Sequence, residues 1–291
     1  MRKHHWLLIA AGILVFSSCQ KSYNPPGLVI SGGSSGSGGG STSTGAKLVK
    51  SENQTVGSSE SSSTGFEYDA SGHVSKITMI ETDSSNKTVN IWYNYTRDAA
   101  GKITKISSNL MAAVAPGAGF PDTLTYTLHY PSGSSNFDYA RYSYSLSGLE
   151  VIDSLVFVYS GNTITDTYEY QRITGIPGTA SVRTQYGYNN GNVTSQKLYD
   201  STGTNVMATY TYEYDSKTAA LNTGNEAFLP GMQPAYACKN NPTKATYTVS
   251  GGGIVVMVTY TLQYNSSGQP STASALITPQ NKTVNEKFTY Q

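Results

Sequence analysis

One strand–turn–strand unit recurs along this chain and constrains its fold more than any other feature. In residues 93–107, YNYTRDAAGKITKIS, tyrosines alternate with polar residues, a turn containing Asp and Gly follows, and a second alternating run begins. Copies of the unit align on one tyrosine each: Tyr68, Tyr95, Tyr130, Tyr159, Tyr188, Tyr214 and Tyr264. The gaps between these tyrosines are 27, 35, 29, 29, 26 and 50 residues, a periodicity that indicates a repeat architecture.

Each period holds two strands joined by a short turn, which makes consecutive strands antiparallel neighbours. Side chains alternate between the two faces of a strand, so Leu124, Tyr126 and Leu128 share an apolar face opposite a polar one. We therefore predict an all-β fold, a long antiparallel meander of about 14–16 strands. Because strand twist accumulates, we expect it to curl into a barrel-like or spiral shell lined by tyrosines. A β-propeller is the alternative, although its blades need four strands each.

The N-terminal residues carry a targeting signal. Residues 1–18 have the basic head, the apolar run and the small residues of a secretory signal. Ser17, Ser18 and Cys19 resemble a lipobox, which implies that Cys19 is acylated and anchors the protein to a membrane. An ordinary cleaved signal is the alternative. We expect a protein lipid-anchored at a Gram-negative outer membrane, facing the periplasm, with surface exposure left open.

Domain boundaries follow from composition. Residues 19–45 are the lipid anchor and a tether rich in Gly and Ser. Residues 46–291 are expected to form a single β domain, interrupted at about residues 221–242 by an irregular loop. The apolar content of this loop favours a plug packed against the aromatic face of the sheet, and a binding loop is the alternative.

Three aromatic residues are candidates for a binding surface. Trp92 alternates to the strand face opposite Tyr93, and Phe228 and Tyr236 lie in the irregular loop. Exposed aromatic side chains can stack on sugars or contact proteins. We therefore name a glycan or an envelope protein as the expected partner.

The repeat copies carry a family resemblance. FEYDASGHVSKI (66–77), YTRDAAGKITKI (95–106) and LQYNSSGQPSTA (262–273) resemble the YD repeats of RHS-like proteins. The arrangement also resembles a family of small bacterial lipoproteins of unknown function, which have a lipobox, a tether and a degenerate YD-like meander. KNNPTK (239–244) lies where those proteins carry a similar motif. The resemblance covers about residues 66–291 and implies no activity or catalytic residues.

Candidates for metal or redox chemistry are few. After cleavage only His73 and His129 remain, and no clustered His or Cys residues suggest zinc. Cys238 is the only cysteine besides Cys19, so lipidation of Cys19 would exclude an intrachain disulfide. We predict no metal, no cofactor and no catalytic residues.

Acidic residues could support hydrolysis only in pairs. Glu67, Glu169 and Glu213 recur near the aligned tyrosines, and we expect them on the water-exposed face of the sheet. A general acid needs an apolar pocket to raise its pKa, and that face does not provide one. Removal of Arg2 and Lys3 with the signal leaves 17 basic and 18 acidic residues, which does not favour nucleic acid. The sequence thus predicts a non-enzymatic cell-envelope lipoprotein that binds or scaffolds a partner. A glycan-active hydrolase or a carbohydrate-binding lipoprotein is the alternative.

Overall fold

A closed β-barrel forms the body of the protein. The computed structural model describes residues 46–146, 148–175 and 180–291. In this part of the chain each of sixteen strands pairs antiparallel with the next, and β1 pairs with β16. The predicted long antiparallel meander is confirmed, and the β-propeller is wrong because one closed sheet contains all of these strands.

The bounds of the elements are as follows. The strands are β1 Leu48–Thr55, β2 Ser61–Tyr68, β3 Val74–Thr82, β4 Thr88–Arg97, β5 Ile103–Ser108, β6 Leu124–His129, β7 Tyr139–Leu146, β8 Leu149–Ser160, β9 Thr163–Ile173, β10 Ala180–Asn189, β11 Asn192–Tyr199, β12 Val206–Thr218, β13 Asn240–Val249, β14 Ile254–Tyr264, β15 Pro270–Thr278 and β16 Lys282–Tyr290. A short helix, α1 Leu110–Val114, follows β5, and two 3₁₀ helices, Gly224–Phe228 and Pro234–Ala237, precede β13. Within the described ranges no helix is long and apolar enough to cross a bilayer.

The Asp of the repeat builds the hairpin turn. An Asp98 carboxylate oxygen accepts the backbone N–H groups of Ala100 and Lys102, both at 2.9 Å. Gly101 has φ +80°, a conformation that glycine adopts without steric cost. Asp69 and Asn265 make the same two contacts in their own turns. The same turn geometry therefore recurs along the chain, and the carboxylates of Asp69 and Asp98 are engaged in it.

The aligned tyrosines brace the wall from inside. Five of the seven hydroxyls donate to a backbone carbonyl oxygen 20 to 27 residues upstream, at 2.5–3.0 Å. The pairs are Tyr68 with Leu48, Tyr130 with Ile103, Tyr159 with Phe137, Tyr188 with Ile164 and Tyr214 with Val193. Each bond ties one hairpin to the preceding one. The two exceptions are Tyr95, which donates to Pro230, and Tyr264, which donates to Asp215.

The two faces of the wall differ in polarity. On β6, the inward Leu124, Tyr126 and Leu128 are buried, and the residues between them are exposed. Outward positions are mostly Thr, Ser, Asn, Gln and charged residues, as in Asn285 and Lys287 of β16. Barrels that cross membranes have the reverse arrangement, an apolar outer band about 25 Å tall. The apolar face of this chain is buried in the lumen.

The irregular loop enters the lumen as a plug. Sixteen strands can enclose a water-filled channel in other barrels, but here Phe228 and Tyr236 are 7% and 0% exposed inside the wall. Phe228 meets Tyr186 edge-on with centroids 4.8 Å apart, and Tyr236 meets Phe66 at 5.9 Å. The expected packing of this loop against aromatic side chains is confirmed. The same burial corrects the expectation that Phe228 and Tyr236 form a binding surface.

Candidate functional site

A groove of about 750 Å³ crosses the outer wall of the barrel. It spans six neighbouring strands in the order β14, β15, β16, β1, β2 and β3. At about 4.8 Å between strands, its two ends lie roughly 24 Å apart. Such a length suits an extended ligand better than a compact one.

Two outward rows of side chains line the groove. Cross-strand pairing places Ile80, Ser63, Glu52, Lys287, Thr272 and Gln263 in the first row. It places Thr82, Ser61, Gln54, Asn285, Ser274 and Thr261 in the second. Residues between the rows face the lumen: Glu286, for example, accepts a hydrogen bond from the buried Ser51 hydroxyl at 2.5 Å. The lining is therefore almost entirely polar.

Several side chains of the groove have hydrogen-bonding groups without a partner in the described residues. The side chains of Ser63, Asn285, Ser274 and Thr261 make no hydrogen bond within the described residues. Hydroxyl and amide groups both donate and accept hydrogen bonds. These groups match a ligand rich in hydroxyls, which likewise donates and accepts.

Glu52 and Lys287 are the charged side chains on the outer face of the groove, and Lys50 lies beside Glu52. The Lys50 ammonium lies 2.6 Å from a Glu52 carboxylate oxygen. This hydrogen bond lowers the pKa of Glu52, and the charge of Lys287 lowers it further. Glu52 is therefore ionised at neutral pH and is unsuited to donate a proton as a general acid.

Trp92 lies near one end of the groove, on the strand next to β3, and is not among the lining residues. It is half-buried on the outer face of β4, where it pairs directly with Thr78 of β3. Ile80, two residues further along the same outer face of β3, lines the groove. Of the three aromatic residues suggested by the sequence, Trp92 alone lies beside this site. The lining residues carry no sequence motif, and the alternation of Ser and Thr along their strands was their only signal.

The three acids considered for hydrolysis do not converge. Glu67 and Glu213 are exposed on the outer face, paired with Lys76 at 2.9 Å and Lys244 at 2.8 Å. Glu169 was expected on the wet face, and this is wrong because it pairs with Leu155 on the lumen side of the wall.

A buried carboxylate that the sequence did not suggest lies near Glu169. Asp153 is 2% exposed and accepts a hydrogen bond from the Tyr142 hydroxyl at 3.2 Å. Burial raises the pKa of both Asp153 and Glu169, and the charge of Asp153 raises that of Glu169 further. The two acids are enclosed by Tyr-rich walls and lie outside the groove.

His129 and Cys238, which the sequence offered for metal or redox chemistry, make contacts within the fold. His129 stands 2.6 Å from Asp138 and stacks on Tyr139, and Cys238 is a buried free thiol. No three His, Cys, Asp or Glu side chains of the described chain gather as metal ligands. Cys19 lies outside the described residues.

Comparison with known proteins extends only to the fold. No family model matches this chain, and no curated protein matches it. It is similar to the crystal structure of a porin-like protein from Bacteroides vulgatus ATCC 8482, with 13% identity, a TM-score of 0.51, and coverage of 85% of this chain and 99% of that one. A porin-like protein from Bacteroides uniformis ATCC 8492 gives 12% identity, a TM-score of 0.49, and coverage of 84% and 96%. Because the identity is only 13%, the similarity to the Bacteroides vulgatus protein supports the fold alone, a closed antiparallel barrel.

Proposed function

We propose that the protein is a non-enzymatic binding lipoprotein of the cell envelope whose outer groove holds a neutral glycan. The observation that carries the proposal is the groove itself, with its two rows of hydroxyl, amide and charged side chains beside Trp92. Sugar hydroxyls would bond to side chains such as Asn285 and Ser63, and a ring could lie against the indole. Lipidation of Cys19 would hold the barrel at the outer membrane, facing the periplasm, on the tether of residues 20–45. The proposal agrees with the resemblance to YD-repeat lipoproteins.

The polarity of the wall supports a water-exposed barrel rather than a pore. Its outer face carries charged and hydroxyl side chains where a lipid-facing barrel needs apolar ones. Its lumen contains an apolar core and the plug. In the proposed arrangement the anchor, and not the strands, contacts the membrane.

The arrangement of the acids favours binding over hydrolysis. Glycoside hydrolysis requires two carboxyl groups on opposite sides of the scissile bond. Glu52 is the one carboxylate whose side chain lies on the outer face of the groove, since Glu286 is bonded to Ser51 on the lumen side. The side chains of Asp153 and Glu169 face the lumen, on the opposite side of the wall from the groove. A bound glycan would therefore be retained without being cleaved.

A substitution that fills the groove tests the proposal. Ser63→Trp would place an indole on the groove floor, whereas Thr211→Trp places one at an exposed outer position of β12, outside the groove. Both proteins would be titrated with neutral plant and host polysaccharides, which carry no carboxylate or sulfate group. We expect Ser63→Trp to abolish binding and Thr211→Trp to retain it. Failure of the unsubstituted protein to bind any of these glycans would refute the glycan site.

The envelope anchor is tested separately. Cys19→Ala should move the protein from the membrane fraction to the soluble fraction, because one apolar acyl chain or more would be lost. Retention of the Cys19→Ala protein in the membrane would contradict lipid anchoring, and it would leave the groove proposal unaffected.

A further inference from the structure

A second part of the outer wall, outside the groove, carries unpaired cations. Lys105, Arg141 and Arg172 project from the exposed faces of β5, β7 and β9. None of them forms an ion pair with any described residue. Some other exposed cations of the strands form ion pairs, as in Lys76 with Glu67 and Lys244 with Glu213. We call Lys105, Arg141 and Arg172, with the neighbouring Tyr170, the cationic face.

The spacing of these cations is regular. Lys105 and Arg141 lie on one outward row, linked across β6 by Thr127. The same row continues through Ser154 to Tyr170, and Arg172 follows Tyr170 by two residues on the same face of β9. Because the cations occupy alternate strands, they are separated laterally by about 10 Å. Thr127 lies between Lys105 and Arg141, Ser154 lies between Arg141 and Tyr170, and Ile152 of β8 lies opposite Arg172.

Neighbouring acids are already engaged. Asp166 binds Arg183 at 2.7 Å, and Asp138 binds His129 at 2.6 Å. Glu150 lies beyond Arg172 and accepts a hydrogen bond from the Thr174 hydroxyl. Of these three acids only Glu150 has no cationic partner among the described residues, so the three cations leave the cationic face with a net positive charge, although the mature chain is close to neutral.

The aromatic residue of this face is accessible. Tyr170 is 37% exposed, and its ring is parallel to that of Tyr168. Thr127 and Ser154 are polar and would pack poorly against an apolar lipid surface. Their hydroxyl groups can instead form hydrogen bonds with sugar hydroxyls. Guanidinium groups pair with carboxylate and sulfate in bidentate geometry.

We propose that the cationic face binds an acidic polysaccharide, with Lys105, Arg141 and Arg172 pairing with successive carboxylate or sulfate groups while Tyr170 lies against a sugar ring. This site is independent of the groove and of its neutral ligand. A barrel with both sites connects a charged polymer to a neutral glycan at the cell envelope.

The test uses two double variants that remove equal charge from the full-length protein. Arg141→Gln/Arg172→Gln alters the cationic face, and Lys76→Gln/Lys244→Gln removes two exposed cations from β3 and β13. The probes are polygalacturonate and dextran sulfate, with uncharged dextran as the reference, measured by titration calorimetry at two salt concentrations. Thermal melts establish that each variant is folded.

We expect binding to both acidic polymers and none to dextran. The arginine double variant should bind at least about tenfold more weakly, and the lysine double variant should bind as the unsubstituted protein does. Tyr170→Ala should weaken binding of polygalacturonate without changing its salt dependence. Ser63→Trp should leave binding of both polymers intact, which separates this site from the groove.

Several outcomes would overturn the proposal. Equal losses in the two double variants would show a response to total charge alone. Equal affinity for double-stranded DNA, or for vesicles of phosphatidylglycerol and phosphatidylcholine in equal parts, would assign the face to polyanions or to lipid. Absence of binding to both acidic polymers would exclude the proposed polysaccharide site.

Discussion

The Tyr95 hydroxyl donates to the Pro230 carbonyl oxygen at 2.8 Å and so joins the wall of the barrel to its plug. Five equivalent tyrosines bond instead to a carbonyl of the preceding hairpin. Two residues after Tyr95, Arg97 donates two hydrogen bonds to the Glu226 carboxylate, at 2.6 and 2.7 Å. The C-terminal end of β4, which contains both residues, therefore serves as the attachment point of the plug.

Loss of the Tyr95 hydroxyl should loosen the plug selectively. Tyr95→Phe removes one hydrogen bond and leaves the Pro230 carbonyl in the core, at a cost of about 1 kcal/mol. Tyr159→Phe removes the comparable bond to Phe137 within the wall. Hydrogen exchange should accelerate across residues 224–238 in Tyr95→Phe and remain unchanged there in Tyr159→Phe. Equal exchange in both variants would contradict the special role of Tyr95.

The Arg97–Glu226 pair should contribute much more to stability than an exposed pair. The Arg97 side chain is 8% exposed, so Glu226→Gln leaves a buried cation short of its partner, at a cost of about 2–3 kcal/mol. Glu213→Gln breaks a pair whose acid is 66% exposed, and there the cost is about 0–1 kcal/mol. Urea unfolding of both variants measures the difference. Similar urea midpoints for the two variants would indicate that solvent already screens the charges of Arg97 and Glu226.

Gly231 should tolerate no side chain. It has φ +82°, and a Cβ atom there would lie 2.3 Å from Cγ of Tyr93. Gly203 has a similar φ of +72° with open space around it, so Gly203→Ala isolates the conformational cost of about 1 kcal/mol. Gly231→Ala should cost at least about 2 kcal/mol more, because the plug must move away from the wall. Thermal melts compare the two, and equal losses would contradict the close contact.

The strand order was predictable because its signals are local. Alternation of apolar and polar side chains fixes the faces of β6, and the Asp98 and Gly101 turn fixes the hairpin between β4 and β5. The groove was not predictable, since its concavity depends on how six strands from the two ends of the chain meet. The sequence alternation around Ser63 or Asn285 contains no information about that curvature.

The tripeptide Tyr-Glu-Tyr shows where local reasoning fails. In residues 212–214 the tyrosines face the lumen and Glu213 bonds to Lys244 outside. In residues 168–170 the same tripeptide is reversed, so that Tyr170 is exposed and Glu169 pairs with Leu155 in the lumen. Polar and aromatic residues alternate identically in both, and only the register with the neighbouring strand decides which side is buried.

Buried carboxyl groups should make the barrel less stable as pH rises through the neutral range. Burial raises the pKa of Glu286 to about 8 in the folded protein, against an ordinary value of 4.5. Between these values the folded state holds a proton that the unfolded state has lost, so stability falls as pH increases from 5 to 8, by on the order of 3 kcal/mol. Burial raises the pKa of Asp153 and Glu169 as well, which acts in the same direction.

Glu286→Gln tests this dependence because the amide mimics the protonated acid and can still accept the Ser51 hydrogen bond. At pH 5 the variant should unfold at nearly the same urea concentration as the unsubstituted protein. At pH 8 it should be more stable, since the unsubstituted protein must then either keep its proton or bury a charge. Glu213→Gln, exposed and paired on the outside, should leave the pH dependence intact. A Glu286→Gln protein that loses stability with pH as steeply as the unsubstituted one would exclude Glu286 as a source of the effect.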